Sequence, residues 1–483
     1  MRWKYILHVL GALLACLGAF MFLPLCFSLY YQDRGRAALL EAMLVTLASG
    51  LFLFLFFKDP KARVAISHRE GMAITTLGWM SAGFFGSLPY LMGGIFPSEV
   101  DCIFEAISGF TTTGASILQN IEAVPKGLLF WRSLTHWLGG LGIVLLGLAI
   151  LPFLGVGGMQ LYKAEVPGPV VEKLTPRLKD TAIILWKVYL IFTAAETLLL
   201  LLGGMDLFDS LCHTFGTLAT GGFSTKNASI AYYDSVYIHT VITVFMVLGG
   251  ANFALHFQLF RGKPSVMWRD TEFRFYLGVF LIISALITLD VYGANYPSLG
   301  KSVQYATFQV ASILTTTGYA TADFEQWPAL SQCLLVLCMF IGGSVGSTGG
   351  SIKCMRILVL VEHSYKEMIR LIHPRAVTVV KIGKQAVPPE VLNSIGAFFI
   401  LYLGLLALST LLVAATGVDI VTSFTSALAC IGNVGPGLGL VGPTDNYAMM
   451  SHFAKWVLTL DMLLGRLEIY PVLILFFPRF YSK

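Results

Sequence analysis

Charged residues are scarce in this chain: Asp, Glu, Lys and Arg make up only 12% of its 483 residues, while 56% are hydrophobic. Soluble domains carry about 25% charged residues, so a water-soluble fold of this length could not cover its surface. With mean hydropathy at +0.76, the chain reads as a membrane protein. Paired cysteine motifs are missing too. The eight cysteines (Cys16, Cys26, Cys102, Cys212, Cys333, Cys338, Cys354, Cys430) form no C-x-x-C pair. Most lie in apolar runs, where a thiol behaves as a small hydrophobe, which argues against a disulfide framework or a zinc site. There is no H-E-x-x-H, no paired His/Asp metal set and no Ser/His/Asp cluster, which argues against a membrane enzyme. The net charge of +5 is not gathered on one soluble unit, so it reads as loop bias and implies no nucleic-acid partner.

What is abundant is long apolar sequence. Runs fall near residues 5–30, 37–57, 72–96, 128–154, 181–202, 237–260, 273–292, 330–360, 391–415 and 448–477. Crossing about 30 Å of hydrocarbon takes roughly 20 helical residues, so the expectation is an all-α polytopic membrane protein with about ten spans. The first run follows Arg2 and Lys4 as a signal peptide would. It is too long for a signal's apolar region and no small-residue cleavage site follows, so it reads as a retained helix. An even number of spans puts both termini on one side. Loops on that side hold Lys58, Lys61, Arg63 and Arg69, then Lys163, Lys173, Arg177 and Lys179. The next two hold Arg261, Lys263, Arg269 and Arg274, then Lys366, Arg370, Arg375, Lys381 and Lys384. Opposite loops carry only Arg34, Arg36, Lys126, Lys226 and Lys301. The positive-inside rule therefore predicts cytoplasmic termini, with lipid around the spans.

Four of the outer loops share a pattern. Asp101 opens a moderately apolar stretch ending Thr112-Thr113-Gly114, and Asp209 one ending Thr220-Gly221-Gly222. The third ends Thr316-Thr317-Gly318, and the fourth, from Asp419, ends Asn433-Val434-Gly435. In each a helix-compatible run leads into a polar, glycine-bearing turn, and a further glycine follows within the next span: Gly139-Gly140, Gly249-Gly250, Gly342-Gly343 and Gly465. The repeat divides the chain into an N-terminal hairpin (1–70) and four units (71–165, 166–265, 266–375, 376–483). Non-helical backbone at membrane depth is tolerated only where protein buries it or water lines it. Four such turns around one axis can present backbone carbonyls to a dehydrated cation. Glycine permits the φ/ψ that turns consecutive carbonyls inward. From the residues alone, the cargo is a monovalent cation.

The four turns resemble the filters of the Trk/Ktr/HKT potassium-transporter superfamily. His136-Trp137-Leu138-Gly139-Gly140-Leu141-Gly142, residues 155–162 (Gly-Val-Gly-Gly-Met-Gln-Leu-Tyr) and Gly465-Arg466-Leu467-Glu468 resemble its bacterial Trk membrane subunits. The resemblance covers nearly the whole chain. Asn433, where the other turns have threonine, makes the expected ring asymmetric. In plant relatives a serine in the first filter goes with sodium transport, so Gly114 implies potassium.

The run at 330–360 is too long for one span and is broken by Gly342, Gly343, Gly346, Gly349 and Gly350, followed by Lys353. Each glycine costs a helix about 1 kcal/mol relative to alanine, so a loop inside the bundle is expected; a close-packing glycine face is the alternative. A phosphate-binding loop does not fit the spacing. The resemblance implies that this segment obstructs the pore and that Arg466 holds it and repels cations. The alternative for Arg466 is an ion pair with Asp461 or Glu468 that fixes packing. Lys353 either assists or snorkels to the cytoplasmic end. Glu105, Glu196 and His136 read as satisfied packing or backbone-binding groups.

The sequence thus points to a gated potassium uptake pore in a bacterial inner membrane, with potassium as cargo and no organic cofactor. A proton- or sodium-coupled potassium symporter and a less selective sodium/potassium transporter remain open. No loop is long enough to hold a nucleotide-binding domain. The resemblance implies a separate cytosolic nucleotide-binding ring subunit, TrkA-like, and a homodimer.

Overall fold

The computed structural model describes residues 1–58, 67–140, 142, 178–376, 378–383 and 385–481. The segment 155–162 and the basic residues Lys61, Arg63, Lys163, Lys173, Arg177 and Lys384 lie outside them.

Helices dominate. The N-terminal part holds α1 (Trp3–Phe20), α2 (Phe22–Tyr31) and α3 (Arg36–Phe56). α1 and α3 pack so closely that a Cβ at Gly11 would collide with the Phe54 backbone and one at Gly50 with that of Ala15. Small residues permit this approach, and between apolar helices such packing replaces a hydrophobic drive. Arg2 ties the hairpin to α4 (His68–Met92) through Glu70, with Nη2 to Oε2 at 2.7 Å. Ser67 caps α4, and Glu70 closes the reciprocal capping box.

Beyond the hairpin, a long helix, a short capped helix, a turn and a second long helix recur. The short helices are α5 (Glu99–Phe110), α8 (Leu207–Leu218), α13 (Leu299–Leu314) and α17 (Ile420–Ile431). Their N-caps are Ser98, Asp206, Ser298 and Asp419, each accepting from the amide three residues on. The preceding helices are α4, α7 (Leu178–Leu202), α12 (Thr271–Val291) and α16 (Pro389–Ala414). The following ones are α6 (Lys126–Gly140), α9 (Val236–Gly249) with α10 (Phe253–Phe260), α14 (Ala329–Phe340) with α15 (Cys354–Ile372), and α18 (His452–Arg466). The six-residue α11 (Pro264–Arg269) lies between α10 and α12, and α19 (Tyr470–Leu473) follows α18.

Among the described residues five helices are long and apolar enough to cross a membrane, or six if α9 and α10 count as one span. That pair corrects the straight span expected at 237–260: it bends by 104°. The break falls at Gly249-Gly250, and Asn252 restarts the helix by accepting from the Ala254 amide at 2.8 Å. The run at 448–477 is likewise not one helix. α18 ends at Arg466, and Glu468 and Ile469 take positive φ (56° and 67°) before α19 begins. An antiparallel pair of two-residue strands, Lys381–Ile382 against Gln385–Ala386, is the one sheet among the described residues.

Candidate functional site

The four short helices end in the same way. The amides of Thr112, Thr220, Thr316 and Asn433 donate to the carbonyls of Gly109, Thr217, Ile313 and Cys430 at 3.1, 3.0, 3.0 and 3.2 Å. The next amides, of Thr113, Gly221, Thr317 and Val434, reach back five residues to Ser108, Gly216, Ser312 and Ala429 at 2.9, 2.8, 2.8 and 2.8 Å. This is the Schellman pattern, which requires a left-handed residue just past the helix. Here that residue is threonine three times and asparagine once, with φ of 54°, 53°, 62° and 52°. Left-handed backbone is strained for a β-branched side chain and persists only where the surroundings enforce it. Glycines Gly114, Gly222, Gly318 and Gly435, two residues further on, are also left-handed, at 79°, 79°, 82° and 101°.

These glycines interlock. A Cβ at Gly114 would collide with the Gly221 carbonyl oxygen, one at Gly222 with that of Thr317, one at Gly318 with that of Val434, and one at Gly435 with that of Thr113. Each turn faces the next and the fourth faces the first, so the four form a closed ring of buried backbone. In the first and fourth repeats a second glycine supports it from behind. Gly139 leaves no room beside the Phe110 carbonyl, nor Gly465 beside that of Ile431.

Side chains stitch the ring across repeats. Asn433 Nδ2 donates to Thr113 Oγ1 at 2.9 Å and to the Met462 carbonyl at 2.9 Å. His136 Nε2 accepts from the Phe223 amide at 3.1 Å, so its Nδ1 carries the proton given to the Gly109 carbonyl at 2.7 Å. His136 is thus the satisfied residue expected, and a neutral one. Glu105 accepts from the Ile117 amide at 2.8 Å, as expected of a backbone-binding group, and also pairs with Arg132 at 2.6 Å. Tyr319 donates to the Phe223 carbonyl at 3.2 Å, and Tyr447 to the Gly435 carbonyl at 2.7 Å. Lys455 pairs with Asp101 at 2.6 Å. Glu196 is buried, with the Thr217 hydroxyl beside its carboxylate.

Arg132, Lys455, Tyr319 and Tyr447 were not singled out in the sequence. A signal existed for the two cations, since each stands inside a run read as membrane-spanning, where a charge calls for a partner. The tyrosines carry no such mark.

Residues 341–353 form a loop between α14 and α15. Its neck is closed by the Gly342 amide on the Ile352 carbonyl (2.9 Å) and the Cys354 amide on that of Gly343 (3.2 Å). Gly346 has φ of 76°, and Gly343 and Gly350 approach the Gly250 and Gly432 carbonyls too closely for a Cβ. Glu272 on α12 accepts from the Val345 amide at 2.8 Å and the Met355 amide at 3.0 Å. The loop's far end touches the ring: Thr348 Oγ1 donates to the Leu218 carbonyl at 2.9 Å, and the Gly350 amide to Thr316 Oγ1 at 2.7 Å. Gly349 lies beside the Thr315 carbonyl.

Arg466 joins the parts. Nη1 donates to Thr112 Oγ1 at 3.1 Å and to the Thr348 carbonyl at 2.8 Å, and Nη2 to the Gly139 and Gly140 carbonyls at 2.5 and 3.0 Å. The two carboxylates weighed as its partners are engaged elsewhere: Asp461 accepts from Ser409 at 2.7 Å, and Glu468 pairs with Arg356. Lys353 does not snorkel. It is 3% exposed, and its ammonium donates to the Gly349 carbonyl.

The arrangement offers four interlocked glycine-bearing turns with a buried lysine and a half-buried arginine beside them. Residues 37–482 match the TrkH family, described as a cation transport protein. The chain is 41% identical to the Trk system potassium uptake protein TrkH of Escherichia coli (strain K12), each covered over its whole length. It is 34% identical to that organism's Trk system potassium uptake protein TrkG, with 99% of each covered. The crystal structure of the potassium transporter TrkH from Vibrio parahaemolyticus superposes with a TM-score of 0.90 at 37% identity, both chains covered in full. These relatives are transporters, so an enzyme is set aside, and the chain belongs to the TrkH family of cation transport proteins.

Proposed function

We propose that this chain carries potassium ions into the cell across a bacterial inner membrane, through the ring built by Thr112–Gly114, Thr220–Gly222, Thr316–Gly318 and Asn433–Gly435. The observation that carries the reading is the ring's closure: four identically capped turns, each glycine against the next turn's carbonyl. Carbonyl oxygens held at one spacing replace a cation's hydration shell. The relatives named for potassium uptake support the choice of ion. In this reading ten spans surround one pore, both termini are cytoplasmic, and two copies pair in the membrane.

Residues Gly342, Gly343, Gly346, Gly349 and Gly350 let the loop fold back beneath the ring, and Arg466 and Lys353 hold it there as a gate. A separate cytosolic nucleotide-binding ring subunit would act on the gate from the basic loops. The test is flux of potassium and sodium into liposomes containing the purified chain, under a pure ion gradient with and without a pH gradient. Potassium flux that needs no pH or sodium gradient is expected. Flux only with a coupling gradient would turn the reading into symport, and none of either ion would end it.

A further inference from the structure

Each chain segment leaving the ring is tethered to the short helix that led into it. Seven residues before the left-handed residues stand Glu105, His213, Gln309 and Ser426. Glu105 accepts from Ser116 Oγ at 2.9 Å and from the Ile117 amide at 2.8 Å. His213 Nε2 lies 3.0 Å from Ser224 Oγ, and Gln309 Nε2 donates to the Ala322 carbonyl at 3.0 Å. In the fourth repeat Thr425, beside Ser426, donates to the Leu438 carbonyl at 3.0 Å. A neutral side chain therefore suffices to tether the third and fourth segments.

The first repeat does more. Glu105 pairs with Arg132 on α6, Oε1 to Nε at 2.6 Å, and both side chains are buried. Arg132 then crosses to the second repeat. Its Nη1 donates to the Ser224 carbonyl at 2.9 Å, and its guanidinium lies 3.5 Å from the centre of the Phe223 ring. His136, one helical turn further along α6, stacks on the same ring at 4.0 Å and accepts from the Phe223 amide at 3.1 Å. One carboxylate thus holds the segment leaving the first turn, and the guanidinium it aligns holds the segment leaving the second.

Stability alone does not account for such a pair, because desolvating two charges offsets most of their attraction. Arginine supplies a planar fork whose donors point in fixed directions. We propose that Arg132, aligned by Glu105, is a positioning residue for ion selection: it fixes the spacing of the first two turns, where Gly114 meets the Gly221 carbonyl. This rests on the ring as the potassium path and names residues outside the ring that set its selectivity. Sodium is the smaller ion, and a ring free to draw in around it loses the discrimination that cavity size provides.

In the full chain, Glu105→Gln keeps an acceptor for the Ile117 amide, while Arg132→Met leaves the Ser224 carbonyl without its donor. Together they strand no charge, and a buried pair replaced by neutral groups of similar volume costs little stability. Potassium and sodium flux are measured over a range of concentrations in liposomes containing the purified double variant. A charge-assisted hydrogen bond represents about tenfold or more in an equilibrium, and the sodium-to-potassium flux ratio should rise by roughly 3-fold or more. Half-saturation by potassium should move to higher concentration. Arg132→Lys keeps a charge beside Glu105 but has one nitrogen for two partners, so it should shift the ratio the same way. It decides the matter alone if the double variant does not fold.

A wild-type ratio and half-saturation in the folded variants, whatever happens to maximal flux or melting temperature, would make the pair packing only and overturn the proposal. Gly114→Ser, assayed alongside, separates the two levels. A shifted ratio there with none in the Arg132 variants overturns the clamp and leaves the ring. An unchanged ratio in all of them removes the ring as the selecting element, and the clamp with it.

Discussion

Asn433 reaches across the ring to Thr113: its amide nitrogen lies 2.9 Å from a hydroxyl 320 residues away in sequence. The one turn that departs from threonine is thus the one that closes the fourth repeat onto the first. Threonine at this position is too short to span the gap and to hold the Met462 carbonyl as well. Losing a buried hydrogen bond whose partner stays behind costs about 1–3 kcal/mol. Asn433→Ala and Thr113→Val should each lower the melting temperature of the purified protein and reduce potassium-over-sodium flux, and the double variant should fall short of the sum. Strict additivity would mean that the two residues act independently.

Gly114 has φ of 79° and sits against the Gly221 carbonyl. A serine there meets backbone of the neighbouring turn, which cannot swing aside as a side chain could. Gly114→Ser should loosen discrimination between potassium and sodium as well as crowd the turn. Relative fluxes in liposomes report it, and an unchanged ratio would place ion selection away from this ring.

Much of this site was legible before the structure, and the misses have physical causes. The short helices were marked by helix-compatible apolar stretches opening at Asp101, Asp209 and Asp419, and the glycine-bearing turns by their recurrence, while the caps Ser98, Asp206 and Ser298 emerge only from the structure. That Thr112, Thr220 and Thr316 share the left-handed backbone with the glycines was not legible, because nothing in a threonine's local sequence favours positive φ and only the Schellman cap and ring packing enforce it. The bend after Gly249 and the end of α18 at Arg466 were hidden for a similar reason: an apolar run reports burial, not straightness. The partners of Arg466 lie more than 100 residues away in sequence, at Thr348, Gly139 and Thr112.

Arg2 and Glu70 pin the start of the chain to the first repeat, and hydrogen bonding to Arg2 pulls the Glu70 pKa down from 4.5 to about 2. A depressed carboxylate pKa adds stability that is fully present above the unfolded value and lost as pH falls through the folded one. Thermal stability should decline between about pH 4.5 and 2 in the wild type, and Arg2→Ala, by raising the folded pKa toward the unfolded one, should flatten that decline, most of all at its low-pH end. Parallel curves for the two proteins would show that the pair is not what titrates.

In the proposed topology, argued from the basic loops, Arg375 is cytoplasmic and Asn227 external. A cysteine introduced at Arg375 should react with an impermeant reagent only from the cytoplasmic side, and one at Asn227 only from the external side. Reversed reactivity would invert the arrangement and turn the four glycine turns toward the wrong compartment.

The central claim is that the loop at 342–353, held by Arg466, closes the path beneath the ring. Arg466→Ala removes four hydrogen bonds, one to the loop, one to Thr112 and two to the first repeat. Shifting a closed state to an open one takes only a few kcal/mol of bias. The most direct measurement is potassium flux into liposomes from purified, monodisperse Arg466→Ala protein without any cytosolic subunit, beside the wild type at equal protein density. Flux well above wild type, with potassium still preferred over sodium, is the predicted result. Flux at or below wild type in a correctly folded variant would contradict the account and leave the glycine loop as packing alone.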